Sequence, residues 1–310
     1  MLNKYIFYLV LSLLLFSCKE KDVFKDNCLD NGASQNQSFE NRKVLIIGID
    51  GFRSDCMNDS ISPFLYTLSQ DPKCFFNLAH QVENVTVSGP NWTSILSGVH
   101  YEKHLASNTF SEYKAEEYPH FFKYLEEANS NLKTVSICNW TAINVFIAFT
   151  YGDFCPLVSY DDFTVNQWAN QIISGTDSIA ADVLFLHFDN LDHEGHAHGY
   201  SPEVPEYAQA VNTMDGYVAS LMASIDQKRS EGEDWLVLVV SDHGGEGTDH
   251  ANGLGNSNID RTICFVDHPS LNFKSNYPSK QVDYIPTIFQ FLGIESAAFS
   301  CQQDGVSLLE

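Results

Sequence analysis

The sequence predicts an α/β domain in which helices cover both faces of a largely parallel sheet, and three observations carry that expectation. Five short runs rich in Val, Ile, Leu and Phe, at residues 44–49, 134–137, 183–188, 236–240 and 263–266, lack polar alternation, as strands buried on both faces do. Helical patterns lie between them, the arrangement that produces parallel crossovers. The 310 residues are 44% hydrophobic and 13% aromatic, enough to fill the core of one large domain.

The elements follow in order. Residues 1–17 place Lys4 before an apolar stretch at 6–16, too short to span a membrane and expected to be an export signal. It ends Leu15-Phe16-Ser17-Cys18, which resembles a bacterial lipobox, so the expectation is a lipoprotein anchored in the membrane through a lipid on Cys18. It would be exported to the periplasm or cell surface, with residues 18–42 as a polar tether and residues 43–310 as the folded domain. Helical spacing is expected over 119–128 and 163–173. The longest pattern, 203–228, sets Val204, Tyr207, Val211, Met214, Val218, Leu221 and Ile225 three or four apart, one face of a helix packed on the core.

The net charge of −23 excludes nucleic-acid polymers as partners, because duplex binding depends on Lys and Arg neutralising phosphates. A small phosphate ester stays compatible, since bound cations reverse the local field of an acidic protein. Beyond Cys18 the chain holds Cys28, Cys56, Cys74, Cys138, Cys155, Cys264 and Cys301. Export suits disulfides, but an odd number leaves at least one out of any internal pairing. With no Cys-x-x-Cys, a thiolate zinc site is not expected.

Ligands of open α/β sheets gather beyond the carboxyl ends of strands. Run 44–49 leads to Asp50; run 183–188 leads to Asp189, Asp192, His193 and His196; run 236–240 leads to Asp242, His243 and His250. One Asp after a strand is usually a turn residue or cap, but one such Asp and two acid–imidazole groups at one sheet edge make a hydrolytic metal site, for zinc and equally for manganese or iron. Residues 84–98 supply hydroxyls, Thr86, Ser88, Thr93, Ser94 and Ser97, among which the residue pattern does not choose.

Four segments in order, Ile47-Gly48-Ile49-Asp50-Gly51-Phe52-Arg53-Ser54-Asp55, Ser88-Gly89-Pro90-Asn91, Asp192-His193-Glu194-Gly195-His196 and Ser241-Asp242-His243-Gly244, resemble the nucleotide pyrophosphatase/phosphodiesterase family of the alkaline phosphatase superfamily. The tail, with Asp283-Tyr284-Ile285-Pro286-Thr287 and Asp304-Gly305, is similar to the end of superfamily members. The resemblance implies an alkaline-phosphatase-like fold with a mostly parallel central sheet and two zinc ions. One metal would be held by Asp50, Ser88, Asp242 and His243; the other by Asp192, His196 and a later His, His250, with His268 as the alternative. Gly195 selects Asp192 and His196 over the overlapping pair Asp189 and His193. Ser88 would be the nucleophile and Asn108 would contact a phosphoryl oxygen.

The same resemblance implies a double displacement through phosphoserine, needing no protein general base. Two departures narrow it. Ser88-Gly89 stands where well-known phosphodiesterases carry Thr-Phe, and the missing aromatic removes the reason to expect a nucleotide base. Trp92 stands where the sulfatase C/S-x-P-x-R motif needs Arg, which argues against a sulfatase. A diester is expected over a monoester, because residues 138–146 hold no cation to meet the extra charge of a monoester and instead offer Trp140 and Phe146. Arg53, Lys103 and His104 are the groups that could supply such a cation. A phosphomonoesterase, a transferase to an alcohol acceptor and a catalytically silent ligand-binding lipoprotein are the competing readings.

Overall fold

The run at 44–49 becomes the central strand, β1 (Arg42–Ile49), whose last six residues are buried. A computed structural model describes residues 41–310; the expected signal, Cys18 and nearly all of the expected tether lie outside the described residues. The sheet is completed by β2 (Cys74–Gln81), β3 (Thr134–Cys138), β4 (Val183–Phe188), β5 (Asp234–Val240) and β6 (Arg261–Asp267). Their order is β2-β6-β5-β1-β4-β3. Strands β3, β4, β1 and β5 are parallel neighbours, whereas β6 runs antiparallel to both β5 and β2. All five expected runs are strands. The sixth, β2, has an apolar start, a bulge between Asn77 and His80 and only two buried residues, as an edge strand requires, and so gives no continuous apolar signal.

Nine α-helices are found among the described residues: α1 (Pro63–Ser69), α2 (Ser88–Ser97), α3 (Tyr101–His104), α4 (Phe122–Ala128), α5 (Asp162–Ser174), α6 (Asn190–His198), α7 (Pro205–Ser230), α8 (Tyr284–Leu292) and α9 (Ala297–Ser300). The helix expected over 119–128 begins only at Phe122, whose N–H is accepted by the His120 ring at 3.0 Å. Helix α5 has ordinary ends, with Asp161 accepting the Thr164 N–H at 2.7 Å and left-handed Gly175 closing it. In α7 the expected face, Tyr207, Val211, Met214, Val218, Leu221 and Ile225, is buried.

Side chains alternate across a strand, and β1 shows the result. Val44 and Ile46 pack in one core with Trp92, Ile95 and Leu96 of α2, Leu125 of α4 and Ile285 and Ile288 of α8. Leu45, Ile47 and Ile49 pack in the other with Leu65 of α1, Val165 and Ala169 of α5 and Val211, Val218 and Leu221 of α7. Helices therefore cover both faces. The register pairs Ile49 with Phe188 and Gly48 with Val240, so Asp50, Asp189 and Ser241 leave the sheet side by side at its carboxyl edge.

Candidate active site

Asp50, Asp242, His243 and Ser88 meet at that edge. The His243 Nδ1–H donates to the Gly244 carbonyl at 2.9 Å, which leaves Nε2 as a lone pair in the neutral ring. That nitrogen lies 3.1 Å from Ser88 Oγ, 3.2 Å from Asp242 Oδ2 and 3.5 Å from Asp50 Oδ1. The serine hydroxyl can donate to it. Asp50 Oδ1 and Asp242 Oδ2 are buried without a hydrogen-bond partner, whereas the second oxygen of each is satisfied. Trp92 Nε1 (2.8 Å) and His187 Nε2 (3.1 Å) donate to Asp50 Oδ2, and the Gly51 N–H donates to Asp242 Oδ1 at 3.2 Å. A cluster of acceptors facing one another, each turned by a donor behind it, fits a bound cation.

The second cluster repeats the design. Asp192 and His196 lie one turn apart on α6, with His196 Nε2 3.3 Å from Asp192 Oδ2. The His196 Nδ1–H donates to the Thr248 carbonyl at 2.9 Å, and the His250 Nδ1–H donates to the Thr86 carbonyl at 2.7 Å. Their Nε2 atoms come within 3.2 Å of each other, and His250 Nε2 is 3.9 Å from Asp192 Oδ1. Tyr200 OH donates to Asp192 Oδ1. Its ring explains the motif glycine Gly195 and also Gly245: a Cβ on Gly195 would come 2.2 Å from it and one on Gly245 2.3 Å. Ligand atoms of Asp192, His243 and His250, and of Asp50, Asp242 and His243, lie within 4.8 Å of one another in each set. The clusters adjoin at His243.

The electrostatics agree. Burial and the charge of Asp192 push the Asp50 carboxyl up to about 7, against the Trp92 hydrogen bond. Burial with the charges of Asp50 and Asp192 drives Asp242 well above the usual carboxylate range. Burial would raise Asp192 too, but hydrogen bonds from His196 and Tyr200 and the nearby imidazoles hold it well below that range. Burial beside His250 depresses His243 to about 3, whereas the Asp192 hydrogen bond lifts His196 to about 9. Three carboxylates this close cannot all ionise cheaply without added positive charge.

Other candidates are spent elsewhere. Thr86 Oγ1 donates to the His250 carbonyl, Thr93 Oγ1 to the Gly89 carbonyl at 2.7 Å and Ser97 Oγ to the Thr93 carbonyl at 2.6 Å, and Ser94 Oγ pairs with His104 at 2.8 Å. Of the five hydroxyls only Ser88, the first residue of α2, faces the clusters. His268 pairs with Asp234 at 2.6 Å, at the opposite end of β5. His193 is exposed. Asp189 approaches Asp50 and His187 and is pushed up to about 7 by burial and the Asp50 charge, but the imidazole of that trio already donates to Asp50. Asn108 Oδ1 accepts the Gly89 N–H at 2.7 Å, next to Ser88. Arg53 is tied to Asp55 and to the Tyr200 and Gly245 carbonyls, and Lys103 to Asp304 and the Gln302 carbonyl. Burial holds His104 at about 3.

Sequence reasoning missed three supporting residues. His187 had a signal: an imidazole inside the otherwise apolar strand Val183–Phe188 must find a partner. Trp92, read only as the absence of an arginine, and Tyr200 gave none, because their targets lie on other elements.

The chain is 30% identical over 155 residues to the catalytic subunit of human GPI ethanolamine phosphate transferase 3, a match covering 47% of this chain and 13% of that protein. It thus spans only a small part of such curated relatives. Among solved structures, an inactive variant of murine ectonucleotide pyrophosphatase/phosphodiesterase 5 in complex with AMP superposes with a TM-score of 0.62 at 14% identity, covering 87% of this chain and 100% of that one. The C-terminal periplasmic domain of EptC from Escherichia coli, in complex with Zn, gives 0.58 at 15% identity, covering 85% and 87%. These likenesses show the alkaline-phosphatase-like fold. The profile of type I phosphodiesterase/nucleotide pyrophosphatase matches residues 44–263, and with well over half of its length matched the chain belongs to that family of enzymes acting on phosphoesters.

Proposed function

We propose that this chain is a metal-dependent phosphodiesterase working by double displacement through a covalent ester on Ser88. The observation that carries the proposal is the pair of cation-fitting acceptor clusters meeting at His243, with Ser88 Oγ 3.1 Å from its Nε2. Asp50, Ser88, Asp242 and His243 would hold one zinc ion, and Asp192, His196 and His250 a second. Bound there, the two ions would neutralise charge on the attacking and departing oxygens.

Ser88 Oγ forms the new bond to phosphorus as the bond to the leaving alcohol breaks, and water then releases the serine. At the start of α2, Ser88 keeps the reacting phosphoryl group at the positive end of a helix dipole. Asn108, its oxygen engaged by Gly89, has its amide NH2 to offer a phosphoryl oxygen. Diesters are favoured over monoesters because Arg53 and Lys103 are committed to other partners, which leaves the dianion without its usual extra cation. Gly89 supports a substrate other than a nucleotide: a Cβ there would come 2.6 Å from the Ser107 carbonyl oxygen, so the loop fills the space of an aromatic base-holder.

Acid quenching during turnover of an aryl phosphodiester, then mass analysis of the Ser88 peptide, tests the proposal. The wild type shows the adduct; Ser88→Ala keeps its zinc, lacks the adduct and loses about a millionfold in kcat, the scale of nucleophile removal. Near-normal turnover by the variant rules Ser88 out. Similarity to a transferase favours one second reading, in which an alcohol instead of water resolves the adduct. Product partitioning with added ethanolamine separates the two. We also propose export and anchoring through Cys18, supported by the apolar stretch at 6–16 that ends Leu15-Phe16-Ser17-Cys18. Absence of lipid on Cys18 in the mature protein would remove the anchor.

A further inference from the structure

Two routes lead outward from the reacting centre and meet at one aromatic wall. Asn108, which holds the Gly89 N–H, is followed two residues later by Phe110, whose ring stacks on Phe146 at 5.0 Å and 15°. Asp50 leads through His187 to Trp140, with ring centroids 6.5 Å apart, and Trp140 in turn contacts Phe110 at 5.8 Å. Phe110 itself has a left-handed backbone, φ 56°, a conformation a bulky residue adopts only when its surroundings impose it.

The wall opens onto an exposed apolar surface. Phe146 is 49% exposed and Phe149 54%, beside Val145, Leu157 and Val158 at 45–62%. Hydrogen bonds from Asn144 to the Pro156 carbonyl and between Thr141 and Ser159 hold the two stretches together. Residues 134–159 contain no Lys or Arg and a single acid, Asp153. On a chain of charge −23 such a continuous neutral patch marks a binding surface, and the acidity of the rest opposes docking on an anionic membrane.

We propose that Trp140 and Phe146, backed by the buried Phe110, form a subsite for an apolar ester group of the substrate, which is therefore a phosphodiester carrying an alkyl or acyl chain on one side. The inference rests on Ser88 being the site of phosphoryl chemistry. The aromatic faces receive the chain as it leaves phosphorus, and the exposed rim from Phe146 to Val158 lets a long chain extend without a length limit.

The test compares kcat/KM for p-nitrophenyl methyl phosphate and p-nitrophenyl octyl phosphate, which share a leaving group, below the micellar range. The wild type favours the octyl ester by at least about tenfold, a fraction of what full burial of seven methylenes would give. Phe146→Ser cuts that ratio at least about threefold, and Phe163→Ser, an exposed control on α5, leaves it at the wild-type value. A wild-type ratio near one, or a ratio that survives Phe146→Ser, overturns the subsite. Calorimetry with octyl methyl phosphate and dimethyl phosphate keeps the question open to decision without turnover. Phe146-dependent preference for the octyl ligand in an inactive protein refutes the proposed reaction and supports the subsite; equal binding refutes the subsite. Equal ratios with Phe146-dependent binding to phosphatidylcholine vesicles would assign the patch to membrane docking instead.

Discussion

Gly195→Ala separates a steric explanation of the motif glycine from a merely local one. The added methyl would meet three carbons of the Tyr200 ring at 2.2–2.5 Å. Gly245 also lies against the ring, where a Cβ would stand at 2.3 Å, so the ring is closely held. Overpacking of this kind costs about 1–3 kcal/mol. Displacing the Tyr200 hydroxyl from Asp192 adds about 1.5–3 kcal/mol for a hydrogen bond to a charged group. Together they predict a loss of roughly 2.5–6 kcal/mol, and at about 2–4 °C per kcal/mol for a domain near this size the melting temperature falls by roughly 5–24 °C. The measurement is thermal unfolding by circular dichroism in chelator, followed by zinc analysis of the purified variant. Zinc falls by about one per chain, since Asp192 loses the donor that turns it. Tyr200→Phe, which removes only the hydroxyl, reproduces the zinc effect with a smaller loss of stability. A Gly195→Ala protein that melts within a degree or so of the wild type and holds two zinc ions refutes the wedge argument.

Asp192→Ala or His196→Ala should lower zinc content by about one per chain, whereas Asp189→Ala and His193→Ala stay closer to the wild type; metal analysis showing the reverse ranking would assign the overlapping pair. His187→Phe, which removes the donor behind Asp50 while keeping an aromatic ring, should weaken zinc binding about 10–100-fold in competition with a chromogenic chelator, and unchanged affinity would reduce His187 to a packing residue. A hydrogen bond donated to the Glu83 carboxylate raises the His100 imidazole above its ordinary 6.5. A raised folded-state value stabilises fully below about pH 6.5 and is lost as pH climbs through the raised value. The half-exposed ring limits the effect to about 1 kcal/mol or less. His100→Gln should therefore melt below the wild type near pH 6, with the gap closing by about pH 9; a gap that widens with pH would reverse the sign of the argument.

The parallel core was legible because its strands are buried on both faces and so read as unbroken apolar runs: β1, β3, β4, β5 and β6 all coincide with such runs. What the runs do not encode is direction. Strand β6 is as apolar as its neighbours and lies antiparallel to β5, a choice made by the connection through residues 241–260 instead of by composition. Strand β2 escaped for the opposite reason. Its bulge turns Leu78 and Ala79 to solvent and buries His80 between Ser279 and Tyr284, so neither alternation nor a continuous run survives.

The site divides along the same line. Asp50, Asp192, His196, Asp242 and His243 sit within a few residues of a strand end, so one rule about sheet edges finds them together, and the structure gathers them into two adjoining clusters. The same rule reaches His250 only further along the chain, and the resemblance is needed to prefer it to His268 as the last ligand, because a long turn separates it from β5 and the Thr86 carbonyl aims its ring. The groups that turn each ligand are more distant still. Trp92 reaches Asp50 from α2, His187 from β4, and Tyr200 reaches Asp192 across the space kept by Gly195 and Gly245. Each of those contacts is made by tertiary packing, and its sequence trace is a negative one: a residue smaller or more polar than its element calls for. Gly195 in mid-helix and His187 in a core strand both weaken their own elements. A cost borne locally without local compensation points to a partner elsewhere in the fold, and here both partners are side chains of the candidate metal centre.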